Sequence, residues 1–159
     1  PYLSTDICNL MASYRHTQPG YVTGPVLAGA AALTFFAWRA EYDSMTATGW
    51  ALTGAFAGLA YLFSSLTVVI EDGELRFFFG PGFWTKRIPL HTIERVETVQ
   101  NSSLVGWGIR YFGSGWLYNV SGWHAVELQL ADGTLLRVGT DEPDALKQAL
   151  NDAHNPSLA

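Results

Sequence analysis

His91, Glu94 and His124 are the residue types from which a general base or a metal centre could be assembled, so their spacing is the first test of whether this chain does chemistry. His91-x-x-Glu94 falls at a turn that leads into a strand, where residues three apart project to opposite faces and cannot share a ligand. No cysteine and no second nearby histidine completes a ligand set, which favours structural or solvated roles. Ser102, Ser103, Ser114 and Ser121 lie near glycines, but no G-x-S-x-G elbow occurs, and the glycine-rich turns lack the lysine of a phosphate loop. Asn101-Ser102-Ser103 and Asn119-Val120-Ser121 match the glycosylation sequon and are read as chance matches. The single cysteine, Cys8, leaves neither an intrachain disulfide nor a CxxC motif. No catalytic, cofactor or metal residue is assigned, and the chain is expected to be a non-enzyme without a cofactor.

Binding is the better prospect. Trp84, Trp107, Tyr111, Phe112, Trp116, Tyr118 and Trp123 are more rings than one small core needs. Tryptophan and tyrosine bury large areas with few rotors and keep a polar tip, so Trp84, Trp107, Tyr111, Trp116, Tyr118 and Trp123 are candidate protein-interface residues. The plainer alternative is that these rings fill the core or rest on a bilayer surface. Lys86, Arg87, Arg95 and Arg110 are candidate lipid-headgroup contacts, the basis of a second reading as a lipid or small-ligand module.

The elements that must position these residues follow from composition. Of the 159 residues, 48% are hydrophobic and only 14% charged, where a quarter would be ordinary for a globular domain. The shortfall is local: Thr17 to Trp38 and Ser44 to Ile70 contain none of the nine Lys/Arg and none of the fourteen Asp/Glu. Tyr21 to Trp38 is about the length that crosses a bilayer core, roughly 17 to 25 apolar residues, with Pro25 in its first turns and aromatic residues at both ends. A second span is expected over Thr48 to Leu66, and the short connection Arg39 to Thr46 makes the pair an antiparallel hairpin.

Gly24, Ala28 and Ala32 on the first helix and Gly54 and Gly58 on the second are small residues at four-residue spacing, suited to close packing against each other or against a helix of another protein. The alternative is that Ala and Gly are simply common in membrane helices. Neither span contains an Asp, Glu, Lys, Arg or His, which disfavours a pump, channel or histidine-ligated pigment protein. His16, just before the first span, is read as solvated.

Arg15, Arg76, Lys86 and Arg87 flank the hairpin against Arg39 in its turn, a bias that places both termini and the β domain in the cytoplasm of a bacterial inner-membrane protein. The chain begins at Pro1, Met11 is an alternative start, and no removable signal peptide is expected. The formal net charge of −5 gives no cationic footprint for nucleic acid. The expected partners are other membrane-protein subunits and the lipid bilayer.

From Leu66 onward, β-rich runs recur at intervals of about 8 to 12 residues. LTVVI and LRFFF flank Asp72-Gly73, and HAVELQL and TLLRVGT flank Asp132-Gly133, both strong hairpin signals. Thr140-Asp141-Glu142-Pro143 opens a closing helix with one apolar face, Ala145, Leu146, Ala149 and Leu150, and Asn155-Pro156 ends the ordered region. The expected organisation is an amino-terminal segment 1–20, a transmembrane hairpin 21–66, a β domain 67–151 and a tail 152–159.

LTVVIEDGELRFFFGPG, RIPLHTIERVE, and GWGIRYFGSGWLYNVSGWHAVELQLADGTLLRVGTDEPDALKQAL, in that order, resemble the membrane-anchored bacterial proteins with a pleckstrin-homology-like domain, over roughly Leu66 to Leu150. The resemblance implies a two-helix transmembrane hairpin followed by a small, mainly β domain of about seven antiparallel strands closed by a carboxyl-terminal helix. That family includes assembly proteins of photosynthetic complexes. It therefore implies an accessory, scaffold or assembly subunit of a larger membrane complex, photosynthetic or electron-transfer complexes first. The phosphoinositide-binding relatives carry basic residues around the first hairpin; this one carries Glu71, Asp72 and Glu74, a departure that speaks against inositol-lipid recognition.

Overall fold

The computed structural model of the chain describes residues 14–42, 46–102 and 106–154. Cys8, Met11, Ser103 and the Asn155-Pro156 end lie outside the described residues.

The first strand, β1 (Tyr14–Pro19), precedes the helices. It pairs antiparallel with β2 (Ser65–Glu71), from Tyr14 opposite Ile70 to Pro19 opposite Ser65. Helices α1 (Thr23–Glu41) and α2 (Ala47–Leu62) are inserted between these two neighbouring strands. Asp72 and Gly73 then turn β2 into β3 (Glu74–Phe79), both with positive φ (52° and 74°), the backbone that a two-residue hairpin loop demands. β4 (Trp84–Pro89) completes a four-stranded sheet in the order β1-β2-β3-β4.

A 3-10 turn at Leu90–Thr92 passes the chain to β5 (Ile93–Gln100). With β6 (Gly108–Tyr111), β7 (Gly115–Asn119), β8 (His124–Leu130) and β9 (Leu135–Gly139) it forms a second sheet in the order β5-β8-β9-β7-β6. β7 and β9 run parallel; the other pairs are antiparallel.

Alternation fixes the core. Leu66, Val68 and Ile70 of β2 and Leu75, Phe77 and Phe79 of β3 face Val126, Leu128, Leu136 and Val138 of the second sheet. Helix α3 (Pro143–His154) adds Leu146 and Leu150. The Thr140 hydroxyl accepts the Glu142 N–H at 3.1 Å where the chain enters α3, and Asp144 suits its first turn.

Several expectations are corrected. Among the described residues no helix is long and apolar enough to cross a membrane. Helix α1 starts only at Thr23, includes Gly24 and Pro25, and carries Arg39 in its last turn. Helix α2 stops at Leu62 because Ser65 and Leu66 are claimed by β2, and its 16 residues reach only about 24 Å against a hydrocarbon core of roughly 30 Å. The expected transmembrane hairpin, and with it the integral inner-membrane placement and orientation, is overturned. The expected β domain of about seven antiparallel strands following that hairpin is also overturned: among the described residues nine strands form two sheets, β1 lies ahead of the helices, and β7·β9 is parallel.

β1 is tied to the start of α3 as well as to β2. His16 Nε2 lies 2.6 Å from Asp141 Oδ1, and His16 Nδ1 lies 3.4 Å from Glu142 Oε2. Burial, and then the carboxylates of Glu142 and Asp141, push the Tyr14 phenol from its ordinary 10.0 up to about 12. The folded state therefore keeps this proton to higher pH than the unfolded chain does. Its contribution to stability is intact below pH 10 and is lost as pH rises towards about 12. Tyr14→Phe is expected to flatten that alkaline fall, measured as the urea midpoint against pH. At neutral pH it should leave stability within about 0.5 kcal/mol, since the Tyr14 hydroxyl is buried without a hydrogen-bond partner. An unchanged alkaline slope would contradict the assignment.

Candidate functional site

The two sheets do not overlap fully. On the core face of the second sheet, Leu136 pairs with Trp116 and Trp116 with Tyr111; exposure rises along that row from 0% to 42% to 62%. In the neighbouring row Val138 is followed by Tyr118 and then by the exposed Ile109. The inner face of β7 and β6 thus runs out from under the first sheet as an aromatic shelf. Trp84, on β4, closes the inner end of the shelf by stacking on Tyr118 with ring centroids 5.1 Å apart. Lys86 Nζ sits 5.6 Å over the Tyr118 ring and 3.5 Å from its hydroxyl, and burial raises the Tyr118 phenol above its ordinary range. Trp116 and Tyr111 meet edge to face at 5.5 Å.

The remaining two candidate interface rings gather at the root of the helical hairpin. Trp107 and Trp123 lie 5.2 Å apart, and Trp107 Nε1 donates to Gly122 O at 3.2 Å. The same β7–β8 loop holds the root: Thr23 Oγ1 donates to Val120 O, and Ser121 Oγ to Pro19 O at 2.7 Å. Gly20 N donates to Ser64 O at 2.6 Å, so the two ends of the insertion are joined by one hydrogen bond. Tyr21 and Phe83 are exposed. The six candidate rings therefore divide into a sandwich-edge group (Trp84, Tyr111, Trp116, Tyr118) and a root group (Trp107, Trp123). Ile109 and Phe83 are exposed apolar residues outside the six candidate rings; the parity of β6 and the Gly80-Pro81-Gly82 turn are the signals that mark them.

The two helices carry no charged residue besides Arg39 and Glu41 at the end of α1. Where α1 meets α2, Ala31 and Gly49 are buried, and Gly49 is the position that needs a glycine, since a Cβ there would stand 2.8 Å from the Trp38 ring. The small-residue positions face elsewhere: a Cβ at Gly24, Gly54 or Gly58 meets nothing within 4 Å, and Ala28 and Ala32 are exposed. Val26, Leu33, Phe36, Trp50, Leu52, Leu59 and Tyr61 are exposed along the two helices.

The four candidate cations are not brought together. Lys86 is at the shelf, Arg87 points to the opposite face of β4, and Arg95 pairs with Glu97 at 2.6 Å on the outer face of the second sheet. Arg110 Nε donates to Trp107 O at 3.0 Å. His91 and Glu94 are exposed and His124 lies at the far end of β8; among the described residues no group of three His, Cys, Asp or Glu could hold a metal ion.

No protein-family model matches the chain, and no curated protein matches it significantly.

Proposed function

We propose that this protein is a non-catalytic accessory or assembly subunit that docks on apolar helices of a larger membrane complex through its helical hairpin. The observation that carries the reading is that α1 and α2 bury only one face of each other and leave a largely apolar surface, uncharged except at the end of α1, with unfilled glycine positions at Gly54 and Gly58. A helix that is apolar all round is ordinarily covered, and open small-residue steps let a second backbone approach closely. The aromatic shelf of Trp116 and Tyr111 offers a second contact of the kind that anchors protein interfaces. The resemblance of residues 66–150 to proteins that include photosynthetic assembly factors points the same way and makes a photosynthetic or electron-transfer complex the first candidate.

The test is site-directed photocrosslinking in native membranes, with a benzophenone on Gly58→Cys in a Cys8→Ser background. The expected result is a discrete adduct with a membrane-complex subunit. It should be absent when the label is at Glu74, on the outside of the sandwich, and lost on adding Gly54→Leu. Adducts with lipid alone, with other copies of this chain alone, or with nothing would overturn the reading.

A further inference from the structure

The outward face of the first sheet carries a row of arginines. Register sets Arg15 opposite Val69, Val69 opposite Arg76, and Arg76 opposite Arg87. Directly opposed residues share a face, so the three arginines cross the sheet side by side, on the side away from Leu66, Val68, Leu75 and Phe77. Val69 lies between Arg15 and Arg76 as an apolar floor, 2% exposed although it faces outward. Glu71 and Glu74 border the row on one side, and Thr17, Thr67, Phe78 and Thr85 on the other.

Like charges set directly opposite each other in a sheet are destabilising, and Arg76–Arg87 is such a pair in a chain whose net charge is −5. Internal carboxylates answer only part of it. Glu71 Oε1 accepts from Arg76 Nη2 at 2.5 Å, while Arg76 Nε is buried with no hydrogen-bond partner. Arg15 and Arg87 are exposed, and among the described residues neither has an ion-pair partner.

We propose that this row is a binding site for a phosphoryl group, gripped between Arg76 and Arg87, with Arg15 closing from across Val69. Planar guanidinium forks match the oxygens of phosphate in pairs, and an anion seated there removes the repulsion of the opposed arginines. The site lies on the first sheet and does not depend on what the helical hairpin docks against.

A soluble phosphate and a lipid headgroup present the same chemistry, and the experiment separates them. The full chain is titrated with inorganic phosphate, and floated with vesicles of phosphatidylcholine alone or mixed with phosphatidylglycerol. Arg15→Gln/Arg87→Gln tests the row, and Arg95→Gln/Arg110→Gln, with the same loss of charge on the other sheet, is the control. The row variant is expected to lose about thirtyfold in affinity for whichever probe binds, while the control stays within about threefold of wild type. Glu74→Gln, which removes a bordering carboxylate, should tighten binding. Sensitivity to inorganic phosphate assigns the soluble source, and sensitivity only to phosphatidylglycerol assigns the headgroup. Binding of neither probe by the wild-type chain, or equal losses in the row variant and the control, would overturn the proposal.

Discussion

Gly115→Ala is expected to cost about 3 kcal/mol, visible as a lower urea midpoint at unchanged m value. Gly115 opens β7 opposite Leu135 of the parallel strand β9. A Cβ added there collides with the Leu135 carbonyl oxygen and carbon and with its Cβ. The obstacle is mostly backbone, so no rotamer change relieves it. The strands must separate, and β7 carries the buried Leu117 and Tyr118 and is, among the described residues, the only strand paired with β6. Gly54→Ala is the matched comparison: the added methyl meets open space in a helix interior, and its effect should be a gain of up to about 1 kcal/mol. If Gly115→Ala came within about 0.5 kcal/mol of wild type, the close approach of β7 to β9 would be wrong.

Phe77→Ala should be costlier still among side-chain truncations, about 4 kcal/mol. Phe77 has no exposed surface and stands where the two sheets and the shelf meet, with the Tyr118 ring at 5.1 Å and the Trp84 ring at 6.1 Å. Its removal deletes a large apolar volume, leaves a cavity between β3 and β7, and takes away the edge contacts of two further rings. Phe77→Leu, which keeps most of the volume, should cost under about 1.5 kcal/mol. The same variants report on the shelf, because Trp84 loses one of its ring neighbours. Phe77→Ala should therefore change the near-ultraviolet circular dichroism before denaturant is added. An unaltered spectrum together with a loss under about 1 kcal/mol would place Phe77 outside the core.

What was legible in the residues was local. Asp72-Gly73 and Asp132-Gly133 are turns because their geometry requires positive φ, and Gly133 has φ 81°. The alternation Leu75, Phe77, Phe79 reads directly as an inward face. β1 was not legible: YRHTQP has one large apolar residue and a proline, and it is a strand because β2, some fifty residues later, supplies its partner. That same pairing pulls Ser65 and Leu66 out of the run that composition assigns to a helix. The division of the aromatic rings turned on where the first sheet ends, a global quantity that no window of sequence contains. Parity alone separates Lys86 from Arg87, but the arginine row needed the register of four strands.

The two helices leave the sandwich after Pro19 and return at Ser64, with the closing hydrogen bond at Gly20. Topologically they are a long detour within a simple strand–turn–strand unit, and a tight turn could take their place without changing the register of β1 against β2. Inheritance can therefore act on the two parts separately. The detour is free to vary in length, hydropathy and partner while the strands of the sandwich are held by their own packing, so lineages that keep this sandwich could exchange what it is fastened to.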